Sequence, residues 1–283
     1  MTNRADRTLT AVQSPLAQGE TKDRGVLLMV GSAESPGLPA KTRLQILGEE
    51  LVVGRRAPDE TRPGSHALVL NDSVVSGQHA RLVRAAAGGW EVEDLGSKNG
   101  TWVDNERLTE KTKLRDGALL FFGNHVGVFR LASAIEVEAM KAELVAPLGP
   151  VATVSPALAV ACDRLRRLAA SEGELLIVGE TGVGKEVYTR AVHVASGRKG
   201  RFMAINCAAI PRELVESELF GYRAGAHSTA HQAKPGLIEE AEGGTLFLDE
   251  IGEMTGEAQI KLLRFLQDRE LTPLGATRPR RMD

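Results

Sequence analysis

Nowhere does the sequence hold the ~18 consecutive apolar residues that a membrane-spanning helix requires. Residues 1–24 likewise lack the apolar core of roughly 7 to 15 residues that marks a secretory signal. A cytoplasmic protein is therefore expected, neither a helical membrane protein nor a secreted one. Cysteine is scarce as well. The two present, Cys162 and Cys207, lie in different predicted segments without metal-ligand spacing. That excludes a disulfide framework and a cysteine-built metal site, and both are expected as buried free thiols. An excess of one charge is also missing: 35 Lys and Arg face 37 Asp and Glu, a formal net charge of -2. The chain as a whole thus has no attraction for nucleic acid or a membrane surface, and any nucleic-acid contact would have to be local.

What remains is a composition ordinary for soluble globular protein, 42% hydrophobic and 25% charged, over 283 residues. That length is enough for two domains, each with its own core. Residues 1–24 are polar and without periodicity, so a flexible tail is expected, with Thr8 and Thr10 as phosphorylatable positions. Residues 25–132 then run as short β-like segments between turn residues: Val26–Val30, Arg43–Leu47, Leu51–Val53, Ala67–Leu70, Ala80–Arg84, Trp90–Asp94, Thr101–Val103, Ala118–Phe122 and Val126–Leu131. Gly88-Gly89, Asp104-Asn105 and Gly123-Asn124 supply the turns. This spacing predicts an all-β sandwich. Residues 133–150 hold a short helical stretch ended by Pro147-Leu148-Gly149-Pro150, which reads as an inter-domain linker.

From residue 151 onward the pattern alternates helix and strand, the mark of a parallel sheet with crossovers. An amphipathic helix is expected over Pro156–Ala170, with parallel strands at Leu175–Val178, Phe202–Ile205 and Thr245–Leu248. The first strand runs into Gly179-Glu180-Thr181-Gly182-Val183-Gly184-Lys185-Glu186, which fits G-x-x-x-x-G-K. In such a loop, glycines let successive backbone N–H groups converge on phosphate oxygens, and Lys185 reaches the outer phosphates. Glu186 stands where the general pattern places a Ser or Thr hydroxyl on Mg²⁺. Leu246-Phe247-Leu248 ends in Asp249-Glu250, one carboxylate for the Mg²⁺ shell and one to polarise an attacking water. Together these residues predict an ATP and Mg²⁺ site.

Three loop clusters in the β region, Gly54-Arg55, Ser76-Gly77-Gln78-His79 and Gly96-Ser97-Lys98-Asn99-Gly100-Thr101, carry chemistry of their own. Arg55 offers a planar bidentate donor for a phosphate dianion, and Ser76 and Lys98 add a hydroxyl and a second cation. In their order, G-R, S-x-x-H and N-G-T, these clusters resemble the forkhead-associated (FHA) domain. The resemblance implies an eleven-stranded sandwich that binds phosphothreonine peptides with Arg55, Ser76, Lys98 and Asn99. It assigns the peptide backbone to Asn99 and a bracing role to His79.

Residues 151–283 resemble the AAA+ domain of sigma-54-dependent transcription activators, through Gly179–Glu186, Ile205-Asn206-Cys207-Ala208, Glu216-Ser217-Glu218-Leu219-Phe220-Gly221 and Gly243–Glu253. In that family a glutamate at the position of Glu186 is usual. The resemblance further implies Asn206 as a switch coupled to the catalytic Glu250, a helix over Gln259–Leu266, a hairpin over Leu271–Arg280, and ring assembly. It also implies RNA polymerase sigma-54 holoenzyme as a partner. The loop that would contact it reads Gly225-Ala226-His227-Ser228-Thr229-Ala230 where the family has G-A-F-T-G-A, so the aromatic, the Thr and the Gly are all replaced. The sensor strand, arginine fingers, lid and DNA-binding helix pair of the family would all follow Asp283, so a truncated module is expected, with DNA reached only through a further C-terminal domain. Two readings stand. One is a phosphothreonine-responsive, ATP-binding transcription regulator; the alternative is a phosphopeptide-binding adaptor carrying an inactive ATPase remnant.

Overall fold

Val26, Leu27, Leu28 and Met29 form a continuous apolar run, and all four are buried. A strand alternates its side chains between two faces, so such a run needs cover on both. The computed structural model describes residues 10–12, 21–32, 43–56, 65–149, 153–226 and 230–282. The first described element is a strand, β1 (Thr10–Val12). Eleven strands follow: β2 (Arg24–Ser32), β3 (Arg43–Ile46), β4 (Glu50–Gly54), β5 (Ser65–Val69), β6 (Ala80–Arg84), β7 (Trp90–Asp94), β8 (Thr101–Val103), β9 (Glu106–Arg107), β10 (Thr112–Leu114), β11 (Leu119–Phe122) and β12 (His125–Ala132). These eleven form a five-stranded sheet in the order β10-β7-β6-β4-β5 and a six-stranded sheet in the order β3-β2-β12-β11-β8-β9.

The expected sandwich is therefore present. Its core takes Leu51, Val53, Leu82, Trp90 and Val92 from one sheet and Leu27, Leu120, Phe122 and Phe129 from the other. Trp90 and Phe129 meet across it with ring centroids 6.5 Å apart. Two strands went unpredicted, β9 and β10, because two or three mostly polar residues carry no alternation to read.

The outward face of β2 is covered by what the sequence presents as a linker. Ser133 caps α1 (Ala134–Val145) in a reciprocal box, its Oγ accepting from Glu136 N–H and the Glu136 carboxylate accepting from Ser133 N–H at 2.8 Å. Val137 and Met140 of this helix then pack with Val26 and Leu28, and so does Ala159 of α2 (Pro156–Ala169). Residues 133–150 are thus not a free linker. One unit comprises Ser14–Pro147 and Val151–Asp163, and the other Met1–Gln13, Leu148–Pro150 and Arg164–Asp283. α2, assigned by sequence to the nucleotide domain, accordingly begins in the first unit.

In the second unit β13 (Leu175–Ile177) leads to α3 (Lys185–Ser196), then β14 (Phe202–Asn206), α4 (Val215–Phe220), α5 (Leu237–Glu240), β15 (Thr245–Asp249), α6 (Gly256–Asp268), β16 (Glu270–Leu271) and β17 (Arg280–Arg281). β14 and β15 are parallel neighbours, and β16 and β17 close the expected hairpin. One sheet of three strands was expected. Among the described residues β13 pairs instead with β1, in parallel, Thr10 opposite Leu175 and Val12 opposite Ile177. An apolar strand with an open edge recruits a ladder partner, and residues read as tail supply it. The rest of the segment before residue 21, Thr8 included, lies outside the described residues. Leu219, Phe220, Ile238, Leu262, Phe265 and Leu271 form this unit's core with Cys207, and both cysteines are buried and outside any disulfide. Among the described residues no helix is long and apolar enough to cross a membrane.

Trp90→Ala removes the largest side chain of the sandwich core and should destabilise the first unit by about 4 kcal/mol. Urea unfolding of the parent and variant measures this, and an unchanged midpoint would contradict the packing described.

Candidate functional site

Two groups of predicted residues are assembled by separate mechanisms. At one end of the sandwich, β4 delivers Arg55, whose N–H donates to Ser76 O at 2.8 Å, while Arg56 N–H donates to Gly77 O at 3.2 Å. The backbones approach so closely that a Cβ on Gly54 would lie 2.2 Å from Gly77 O, which is why glycine precedes the arginine. His79, fully buried, ties the second loop to the third. Its Nδ1 accepts from Ser76 N–H at 3.1 Å, so the proton sits on Nε2, which donates to Gly100 O at 3.1 Å.

Ser76 Oγ accepts from Lys98 N–H at 3.0 Å, leaving its own proton to donate outward. Asn99 Nδ2 donates to Val74 O at 2.7 Å, which leaves Oδ1 as an acceptor. Arg55 is exposed, and neither its guanidinium nor the Lys98 ammonium has a hydrogen bond or ion pair among the described residues. The structure thus brings all four predicted phosphopeptide residues onto adjoining loops, with both cations unengaged among the described residues.

Sequence reasoning missed Asp94. Its carboxylate accepts from Ser97 N–H at 2.7 Å, Ser97 Oγ at 2.6 Å and Thr101 Oγ1 at 2.7 Å, pinning the loop that carries Lys98 and Asn99. The signal available was the Asp-x-x-Ser spacing of a side-chain-closed turn. Burial alone would raise this carboxyl. The hydrogen bonds from Ser97 and Thr101 outweigh it and hold it below its ordinary value.

In the second unit Gly182 and Gly184 take φ of 82° and 90°, the left-handed turns that aim the loop's N–H groups inward before α3 starts at Lys185. Lys185 Nζ donates to the loop's own carbonyls, Gly179 O at 3.3 Å and Glu180 O at 3.1 Å. Glu186 pairs with Arg190 at 2.8 Å, and the Arg190 guanidinium stacks 4.6 Å over the Phe202 ring. The residue replacing the usual hydroxyl thereby fastens α3 to β14.

His193 Nδ1 lies 2.9 Å from Thr245 Oγ1, fastening the same helix to the start of β15. From His193 back to Lys185 the helix rises about 12 Å, and from Thr245 to Asp249 the strand advances about 13 Å. A crossover helix runs antiparallel to its strands, so Lys185 and Asp249 arrive at the same end of the sheet.

Asn206 stands directly opposite Asp249 in the β14–β15 register. Its Oδ1 caps Ala208 N–H at 2.9 Å, and among the described residues it makes no hydrogen bond to Glu250. Glu250 takes φ 53°, a left-handed conformation uncommon outside glycine, and its N–H donates to Asp249 Oδ1 at 3.1 Å. Burial, and then the charges of Asp249 and Glu250, push the Cys207 thiol up, so it stays protonated beside them.

One carboxylate at a strand end suits Mg²⁺, which keeps most of its shell as water and phosphate oxygen. A glycine loop with a lysine at a helix start suits a polyphosphate. The residues present fit both groups. Of the altered loop, His227, Ser228 and Thr229 lie outside the described residues.

Asp94 gives a pH prediction. Because its folded value lies below the ordinary 3.8, its contribution is full above that pH and is lost as the pH falls through the folded value. Asp94→Asn should cost about 2 kcal/mol at neutral pH and flatten the acid limb of the first unit's stability curve. Urea titrations between neutral and acid pH read both effects, and an acid limb of undiminished slope would refute the assignment.

Residues 151–283 match the family described as Sigma-54 interaction domain, and residues 51–123 match the FHA domain. Among curated proteins, the chain is 48% identical over 129 residues to the Transcriptional regulatory protein GlrR of Escherichia coli (strain K12), covering 45% of this chain and 29% of GlrR. It is 45% identical over 194 residues to the Acetoin catabolism regulatory protein of Cupriavidus necator, covering 66% of this chain and 28% of that protein. Among solved structures, NtrX from Brucella abortus in complex with ATP aligns at 34% identity and a TM-score of 0.43, over 52% of this chain and 32% of NtrX. The chain spans less than a third of the length of the curated relatives it matches. By these matches the chain carries an FHA domain and a sigma-54 interaction domain.

Proposed function

We propose that this protein is a phosphothreonine-responsive regulator of sigma-54-dependent transcription, in which the sandwich binds a phosphothreonine-containing protein and the second unit binds MgATP. The observation that carries the first half is the convergence of Arg55, Lys98 and the Ser76 hydroxyl on loops locked by His79 and Asp94. Arg55 takes two phosphate oxygens in its planar fork, Lys98 adds a point charge, and Ser76 Oγ donates its free proton. Asn99 Oδ1 accepts from the peptide backbone. No phosphate chemistry follows, and the site only binds.

The second half is supported by the arrival of Lys185 and Asp249 at one end of the sheet. Lys185 leaves the carbonyls of Gly179 and Glu180 for the outer phosphates, and the N–H groups of Gly182 to Lys185 cradle them. Mg²⁺, held by Asp249, supplies charge neutralisation there when bound. Glu250 polarises a water, and Asn206, opposite Asp249 in the register and with its Nδ2 unengaged among the described residues, biases that carboxylate. Hydrolysis on this reading needs arginines delivered in trans within a ring. The replaced residues of the loop at 225–230 favour a second reading for the partner, a regulator that binds phosphopeptide and nucleotide without engaging sigma-54. A pull-down of sigma-54 with the full chain separates the two.

Lys185→Ala should weaken MgATP binding about a hundredfold or more, measured by calorimetry on the full chain. Equal affinity of parent and variant would sink the nucleotide reading. Arg55→Ala should lose every phosphothreonine peptide that the parent captures from a library, with the fold retained because Arg55 is exposed. A library yielding no phospho-dependent binder for the parent would reject the binding claim.

A further inference from the structure

The glycine loop before α3 is held unevenly from its two sides. The helix that follows it is fastened at three places. Arg190 lies over Phe202, His193 Nδ1 meets Thr245 Oγ1 at 2.9 Å, and the chain at Gly149 presses so closely that a Cβ there would stand 2.7 Å from the Ala191 Cβ. The strand that precedes the loop, β13, has a single ladder partner among the described residues, β1. Arg269 also bonds the Glu174 carboxylate and, at 3.2 Å, Glu172 O, but that tie lies before the strand begins.

The ladder sets Thr10 opposite Leu175, Ala11 opposite Leu176 and Val12 opposite Ile177. Only Val178 then separates it from Gly179, where the loop begins. Gly179 O and Glu180 O are the acceptors of Lys185 Nζ, so the course of β13 decides where the lysine's ammonium rests. Leu176 is 42% exposed even with β1 in place. Without β1 the polar edge of this apolar strand is unpaired, and its end is free to wander at the point where the loop is anchored. A pairing of three residues between two strands is marginal in water, so β1 belongs to the low-stability end of the unit and can leave without unfolding it. A ligand that binds the ordered loop then favours the paired state, and pairing favours the ligand by the same factor.

We infer that Thr10–Val12 is a detachable strand of the nucleotide unit. With β1 on β13 the loop is shaped for a polyphosphate, without it the affinity falls, and a bound nucleotide in turn holds β1 in place. This rests on the nucleotide reading and adds to it a control through the N-terminal segment, since whatever engages residues 10–12 draws nucleotide off.

Successive residues of a strand turn their N–H groups to opposite sides, and proline has none. Ala11→Pro combined with Val12→Pro therefore removes whichever of the two N–H groups faces β13. Calorimetry on the full chain should show this variant binding MgATP about tenfold more weakly than the parent, and deletion of residues 1–13 should give the same loss. Ala17→Pro combined with Gln18→Pro, in the same segment but outside Thr10–Val12, should leave the affinity unchanged. Hydrogen exchange gives the reciprocal readout: in the parent, MgATP should slow exchange at residues 10–12 as well as at 175–177. Equal MgATP affinity in the parent and both β1 variants, an equal loss in the control, or exchange at residues 10–12 indifferent to MgATP would overturn the inference alone. A parent that binds no MgATP would overturn the nucleotide reading together with it.

Discussion

His79 has no exposure to solvent and uses both ring nitrogens, one accepting from Ser76 N–H and the other donating to Gly100 O. The second and third loops cannot part without leaving a polar atom unpaired in apolar surroundings, at a cost of about 1–3 kcal/mol. Everything outward of the ring inherits its position from that constraint. Ser76 Oγ is held where Lys98 N–H reaches it, and Arg55 is drawn in by its own bond to Ser76 O. The exposed side chains of Arg55 and Lys98 have no bond to one another, so their geometry comes from beneath. Asp94 performs the same service from the other side, with three bonds into a single loop.

The nucleotide-side residues are positioned by a different device, a helix fastened at two points. Arg190 over Phe202 and His193 against Thr245 hold α3 along the strands, while the loop before it is shaped by its glycines and by Lys185, which donates back to it. The turn of Lys185 onto its own loop's carbonyls gives its ammonium two acceptors there.

Much of this was legible in the residues because the strong signals are local. β-like runs between turn residues marked nine strands of the sandwich, loop chemistry marked Arg55, Ser76, Lys98 and the glycine cradle, and the family resemblance added Asn99. What escaped was either too short or too distant. Glu106–Arg107 has no period to detect, and Asp94 reads as an ordinary strand-end acid until Ser97 and Thr101 fold back to it. The pairing of Thr10–Val12 with Leu175–Ile177 joins segments far apart in sequence, which no window can see. The left-handed backbone of Glu250 is equally invisible, since nothing in a glutamate announces it. The role of α1 was readable in principle: five apolar residues in a row, Val26 to Val30, call for a second covering layer, and the capped helix after β12 is the nearest one able to supply it.

That second layer bears on where this chain can be divided. The sandwich looks finished at Ala132, where its last strand ends, yet its β2 is apolar on both sides and its outer side is sealed by Val137, Met140 and Ala159. Cutting after the last strand would bare Val26 and Leu28 along one face and invite strand-to-strand aggregation. The smallest self-sufficient form of the FHA domain in this chain is therefore the sandwich with its helical lid and the start of α2, and the natural seam runs through a helix instead of a loop.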